Sequence, residues 1–198
     1  MSIVVEHEKR RHEILEKALD VFMDEGFEDV TFQKIADRCG ITRTTLYIYF
    51  KNKRDIFNFS IKQFLQILEH NINEIKKEVN LSHTEKLIRV MQVIFERLDE
   101  NHRILSVVLK YLLNSKEDYD PDYRVRRRTV RLRHFLATML IDGIKAGDFH
   151  QSLNVKDANE MLYSFLEAAV FRLVVLRRSS VDELKDAMIL AIRNFSVR

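Results

Sequence analysis

Four polar side chains in a row, Thr42, Arg43, Thr44 and Thr45, are followed by Tyr47, Tyr49 and Lys53, with Leu46 and Phe50 as apolar residues among them. No nucleophile stands beside a base in this stretch, so its chemistry is recognition by hydrogen bonding and charge. A guanidinium such as that of Arg43 can bond guanine O6 and N7 together. Threonine hydroxyls and a lysine ammonium can meet phosphate oxygens. An earlier threonine, Thr31, could do the same or simply cap a helix. Each residue also has a plain structural use: Thr31 and Thr42 as caps, Tyr47 and Tyr49 as core aromatics, Lys53 as a solvated helix start.

These groups need elements to aim them. Ile14, Leu15, Ala18, Leu19 and Phe22 form one apolar stripe of an amphipathic helix, which Gly26 stops. Thr31 opens a short helix carrying Phe32, Ile35, Ala36 and Cys39 at helical spacing. Gly40 interrupts it, Ile41 supplies an apolar plug, and Thr42 caps a third helix that turns Leu46 and Phe50 inward. The pattern is helix, short turn, helix. Such a motif fixes its second helix so that N-terminal residues reach base edges.

The net charge of +3 argues little by itself. Its distribution says more: through Asp29 there are four Lys/Arg against nine Asp/Glu, whereas Val30 to Arg54 holds six Lys/Arg and one acid, Asp37. The second stretch could face a polyanion.

Four glycines and one proline in 198 residues fit long helices with short connections. The expected fold is all-α, with about nine helices. An N-terminal three-helix helix-turn-helix domain, 1–55, precedes a C-terminal helical bundle, 56–198. After Lys53 a long helix is predicted from Asp55 to about Val79, then helices at Thr84 to Asp99 and Arg103 to Leu113. A polar loop follows at Ser115 to Asp120, and Asp120 caps a helix that begins at Pro121 and ends at Gly147. Met161 to Leu176 is apolar on nearly every side. Ser180 and Glu183 have capping-box spacing ahead of Leu184, Met188 and Ile192. These last two helices are expected to form a homodimer interface through Leu166, Val170, Leu173, Leu184, Met188 and Ile192.

The segment Ile14 to Phe57, ILEKALDVFMDEGFEDVTFQKIADRCGITRTTLYIYFKNKRDIF, resembles without a gap the N-terminal domain of the TetR family of regulators. Its most specific part is LYIYFKNK, Leu46 to Lys53. The resemblance implies that Thr31 and Lys53 meet phosphate, that Thr42, Arg43 and Thr44 face bases, and that Tyr47 and Tyr49 touch backbone or groove. Family members commonly carry histidine where Tyr49 stands. It further implies a ligand-released homodimeric repressor on double-stranded DNA with a pseudo-palindromic operator. A small-molecule effector would bind the C-terminal domain, where Phe64, Leu68, Tyr111, Phe135, Met139 and Phe165 could line a cavity or simply be core.

The remaining features exclude more than they suggest. The seven histidines show no ligand spacing, so no metal and no cofactor is expected. The single cysteine, Cys39, forms no internal disulfide and reads as a buried small hydrophobe. No carboxylate and histidine cluster suggests an enzyme. Without an apolar run near the ~20 residues that a bilayer requires, the chain is expected to be cytoplasmic. The basic run Arg124, Arg126, Arg127, Arg128, Arg131 and Arg133 points around its helix and reads as a solvated, salt-bridged face. The rival reading is a helical adaptor or protein-binding module that has lost DNA binding.

Overall fold

The computed structural model describes residues 3–114 and 121–197, with side chains described over 5–111 and 130–197. The predicted loop Ser115 to Asp120 lies outside these residues, as do the side chains of Arg124, Arg126, Arg127 and Arg128. Among the described residues the fold is all-α: α1 (Ile3–Glu25), α2 (Phe32–Cys39), α3 (Arg43–Tyr49), α4 (Lys53–Lys77), α5 (His83–Glu100), α6 (His102–Asn114), α7 (Pro121–Ala146), α8 (Val155–Val170) and α9 (Asp182–Arg193). A π-helical segment, Phe171–Val175, follows α8 directly. The chain divides into two compact units, Met1–Gln66 with Arg103–Lys116, and Ile67–His102 with Glu117–Arg198.

The first unit is built around Phe22, Ile35, Leu46 and Phe50, each at most 1% exposed. The stripe predicted on α1 is there, but the helix begins at Ile3, well before the stripe. Gly40 takes the left-handed conformation (φ 68°) that closes α2, and the Ile41 N–H reaches back to the Ala36 carbonyl at 3.0 Å. Only glycine adopts that φ without a Cβ penalty. Cys39 is buried, and burial pushes its thiol above the ordinary range.

Part of α6 completes this core. Val107 is 1% exposed, and Tyr111 sets its ring edge-on to Phe27 at 4.7 Å and Phe57 at 5.2 Å. Arg103 pairs with Asp20, and the Lys110 ammonium donates to the Met23 carbonyl at 3.3 Å, near the end of α1. A cation at a helix C-terminus also meets its negative dipole end.

In the second unit α5 starts with a capping box, Ser82 with Glu85, which sequence inspection passed over. Asp148 accepts from the His83 backbone N–H and contacts its Nδ1, both at 2.7 Å. These contacts, the backbone donor first, hold the Asp148 carboxyl below the ordinary aspartate range. Gly143 has no room for a side chain, since a Cβ there would overlap the Phe149 ring.

Two local expectations change. Asn154 caps α8 by accepting from the Lys156 and Asp157 N–H groups, so this helix begins before Met161 and gives way to the π segment after Val170. The expected capping box at Ser180 does not form: the N-cap is Val181, and the Ser180 hydroxyl accepts from the Asp182 N–H instead. The Ser180 hydroxyl also donates to the Asp182 carboxylate, a local pairing that competes with the cap it would give the Glu183 N–H.

Candidate nucleic-acid interface

The turn of the helix-turn-helix holds α3 by its caps and its apolar edge. Thr42 accepts from the Thr45 N–H at 3.1 Å, and its hydroxyl also contacts that of Thr45 at 2.8 Å. Leu46 and Phe50 point into the core at 0% and 1% exposure. Thr45 and Tyr49 on this short helix are half-buried, and its other residues are turned away from the core. Thr42, Arg43, Thr44 and Tyr47 are exposed, and Thr31 is exposed at the cap of α2, accepting from the Lys34 N–H at 3.2 Å.

Arg43 and Tyr47 form one unit. The Arg43 Nη2 donates to the Tyr47 hydroxyl at 3.0 Å, one turn along, while the Tyr47 ring packs against Phe32 at 4.9 Å. A packed ring that anchors a guanidinium lowers the entropy lost when that guanidinium docks on a base. Tyr49 is placed differently. It is half-buried against the core and stacks on His7 of α1 at 4.7 Å.

Lys53 has a task inside the unit. Its ammonium donates to the Phe27 and Glu28 carbonyls, both at 2.7 Å, and lies 4.9 Å from the centre of the Phe27 ring. Two of its three N–H groups are thus committed. The basic stretch is also less bare than its composition suggests, because Lys34 pairs with Glu25 and Arg38 with Asp24 at 3.3 Å. The acids of α1 and the bases of α2 meet each other.

Sequence reasoning missed Ile48. This aliphatic residue is 67% exposed in the middle of the polar face. The signal was its place two residues after Leu46, which puts it on the opposite side of the helix.

The other candidates divide between the units. Phe64 and Tyr111 belong to the first, and Leu68, Phe135, Met139 and Phe165 to the second. Leu68 and Met139 are each 8% exposed. Of the dimer candidates, Leu166, Leu173, Leu184, Met188 and Ile192 are buried within the protomer and Val170 is half-buried. The large apolar side chains exposed on these helices and the π segment are Met161, Phe171, Val175 and Leu190. Helical periodicity located the apolar faces without telling own core from outer surface. In the basic run, Arg133 pairs with Glu160 and lies over the Tyr163 ring at 3.9 Å, while Arg131 is exposed. Among the described residues no group of three potential metal ligands gathers, and no helix is long and apolar enough to cross a membrane.

A capped, core-anchored α3 that turns an arginine and a tyrosine outward defines the helix-turn-helix class of DNA-binding transcriptional regulators. Residues 14–58 match the bacterial regulatory proteins of the tetR family, and residues 57–180 match the C-terminal region of YsiA-like proteins. The chain belongs to the TetR family. It is 26% identical over 162 residues to the fatty acid metabolism regulator protein of Bacillus subtilis, covering 80% of each chain. To the transcriptional repressor KstR2 of Mycolicibacterium smegmatis it is 29% identical over 159 residues, 79% of this chain and 74% of that one. The solved structure of the Bacillus subtilis regulator FadR in complex with stearoyl-CoA superposes with a TM-score of 0.71 at 22% identity, covering 94% of this chain and 99% of that one.

Proposed function

We propose that the chain is a homodimeric repressor that binds a pseudo-palindromic operator and leaves it when a long-chain acyl-CoA occupies the C-terminal region. What supports the effector class is the likeness to the Bacillus subtilis regulator FadR, whose solved structure holds stearoyl-CoA, joined to a fatty acid metabolism regulator among the relatives. Residues 1–55 read DNA and 56–198 bind the effector and dimerise, in the cytoplasm.

On DNA, Arg43 reads a base from the ledge of Tyr47, and Thr42 and Thr44 approach neighbouring base edges. Thr31 and the remaining N–H of Lys53 reach phosphates, and Tyr49 touches the backbone. Two such heads address half-sites separated by about 34 Å, one helical turn, or a multiple of it. The dimer forms through α8, the π segment and α9, where Met161, Phe171, Val175 and Leu190 give an outer surface that gains by being covered. The effector must bind the DNA-incompetent state better than the competent one, because equal affinity for both shifts nothing.

The test is fluorescence anisotropy with DNA from upstream of the chain's own gene. Palmitoyl-CoA should weaken binding by about 5- to 150-fold, the usual range of allosteric coupling. Coenzyme A alone should leave it unchanged. Retention of full affinity under acyl-CoA thioesters of every chain length would refute the effector class and leave the DNA reading standing.

A further inference from the structure

We propose that Ile48 reads the 5-methyl group of a thymine in the major groove, so that each half-site carries a required T·A pair beside the base read by Arg43. The proposal rests on α3 as the DNA-reading helix and adds what its outermost residue recognises. At about 100° per residue, Thr44 and Ile48 each lie about 160° around α3 from the buried Leu46. They form its outermost ridge, one turn apart, next to the ridge of Arg43 and Tyr47.

Ile48 keeps 67% of its surface exposed, more than any other described large hydrophobic except Val79. A helical side chain leans toward the N-terminal turn, so Ile48 covers the space over Thr44 and adds its surface to the methyl of that threonine. An aliphatic ridge at the tip of a reading helix gains free energy by meeting an apolar partner. Among the base edges displayed in the major groove, the thymine C5-methyl is the one apolar group. Arg43 and Ile48 thereby divide the work: one takes the acceptors of a guanine, the other the methyl of a nearby thymine.

The experiment starts with the full chain selecting duplexes from a random pool. Each thymine of the selected site is then replaced by deoxyuridine, which removes the methyl and keeps the base pair. One symmetric pair of replacements should weaken wild-type binding by about fourfold per half-site, the worth of one buried methyl-sized group. Ile48→Ala should show a similar loss on the thymine duplex and be indifferent to deoxyuridine at that position. Because Ile48 is exposed, the variant should melt with the wild type. Tolerance of every deoxyuridine within twofold overturns the proposal, as does an Ile48→Ala protein that is equally sensitive to the replacement or binds as tightly as wild type. A uniform loss on all sequences assigns Ile48 to the sugar-phosphate backbone and also overturns it. A pool from which nothing is enriched overturns α3 as a sequence reader, and this proposal with it.

Discussion

Helices α3 and α9 both bury one apolar edge, yet they leave different chemistry outside: hydroxyls and one arginine on α3, three acids, Asp182, Glu183 and Asp186, with Arg193 on α9. On α3 the edge is Leu46, continued by its C-cap Phe50, and the remainder is threonine, arginine and tyrosine with one isoleucine. On α9 the edge is Leu184, Met188 and Ile192, and the outer surface carries Leu190 at 63% exposure. A buried edge says only that a helix belongs to a fold. What it is for is written on the opposite side: on α3 hydrogen-bonding groups around Ile48, and on α8 and α9 single large apolar side chains, Met161 and Leu190, set among charged residues.

The contrast can be broken at either edge. Leu46→Ala opens a cavity under α3 and should cost about 2–5 kcal/mol, read by urea denaturation, with DNA binding lost as the head loosens. An unchanged midpoint would mean that α3 does not depend on its inner edge. Lys53→Met should cost about 1.5–3 kcal/mol for each charged hydrogen bond to a carbonyl that it removes. It should also flatten the salt dependence of DNA binding. A flattened salt slope without a lower melting temperature would show that the two carbonyl contacts contribute nothing to the fold.

On the outer sides the effects should be smaller and more selective. Arg43→Ala should cost about 1–3 kcal/mol of binding and relax preference at one base pair, measured by competition among single-base operator variants. Leu190→Ser should change protomer stability by less than about 0.5 kcal/mol while weakening the proposed dimer, read by sedimentation equilibrium. Leu184→Ser at the buried edge should do the reverse, unfolding before it dissociates. The least effect is expected from acid. The Asp148 carboxyl is held below its unfolded value, so its contribution is present at neutral pH and fades as pH falls through the depressed value. The melting-temperature gap between wild type and Asp148→Asn should close on acidification. A gap that widened would reverse the sign.

The turn was readable because its causes are local: a glycine at the left-handed position, a threonine at the next cap, and apolar residues at fixed spacing. The same logic overlooked Ser82 with Glu85 and expected too much of Ser180, whose hydroxyl pairs with Asp182 instead of capping. The first turns of α1 carry no apolar stripe, so no periodicity announced them. The dimer candidates went inward because a period of 3.6 reports that a face is apolar and not whose core it joins. Ile48 was within reach of the same reasoning, since Leu46 two residues before it already pointed inward, but a lone aliphatic residue on a polar face has no periodicity of its own.

In a genetic screen Lys53 would behave unlike its neighbours. Its ammonium holds the Phe27 and Glu28 carbonyls. Alleles at position 53 should therefore be lost both as abundance defects and as repression defects, whereas alleles at Arg43 should lose repression at full abundance. Suppressors would separate the two: a stabilising change elsewhere rescues the first defect and leaves the second, so position 53 should yield only partial revertants.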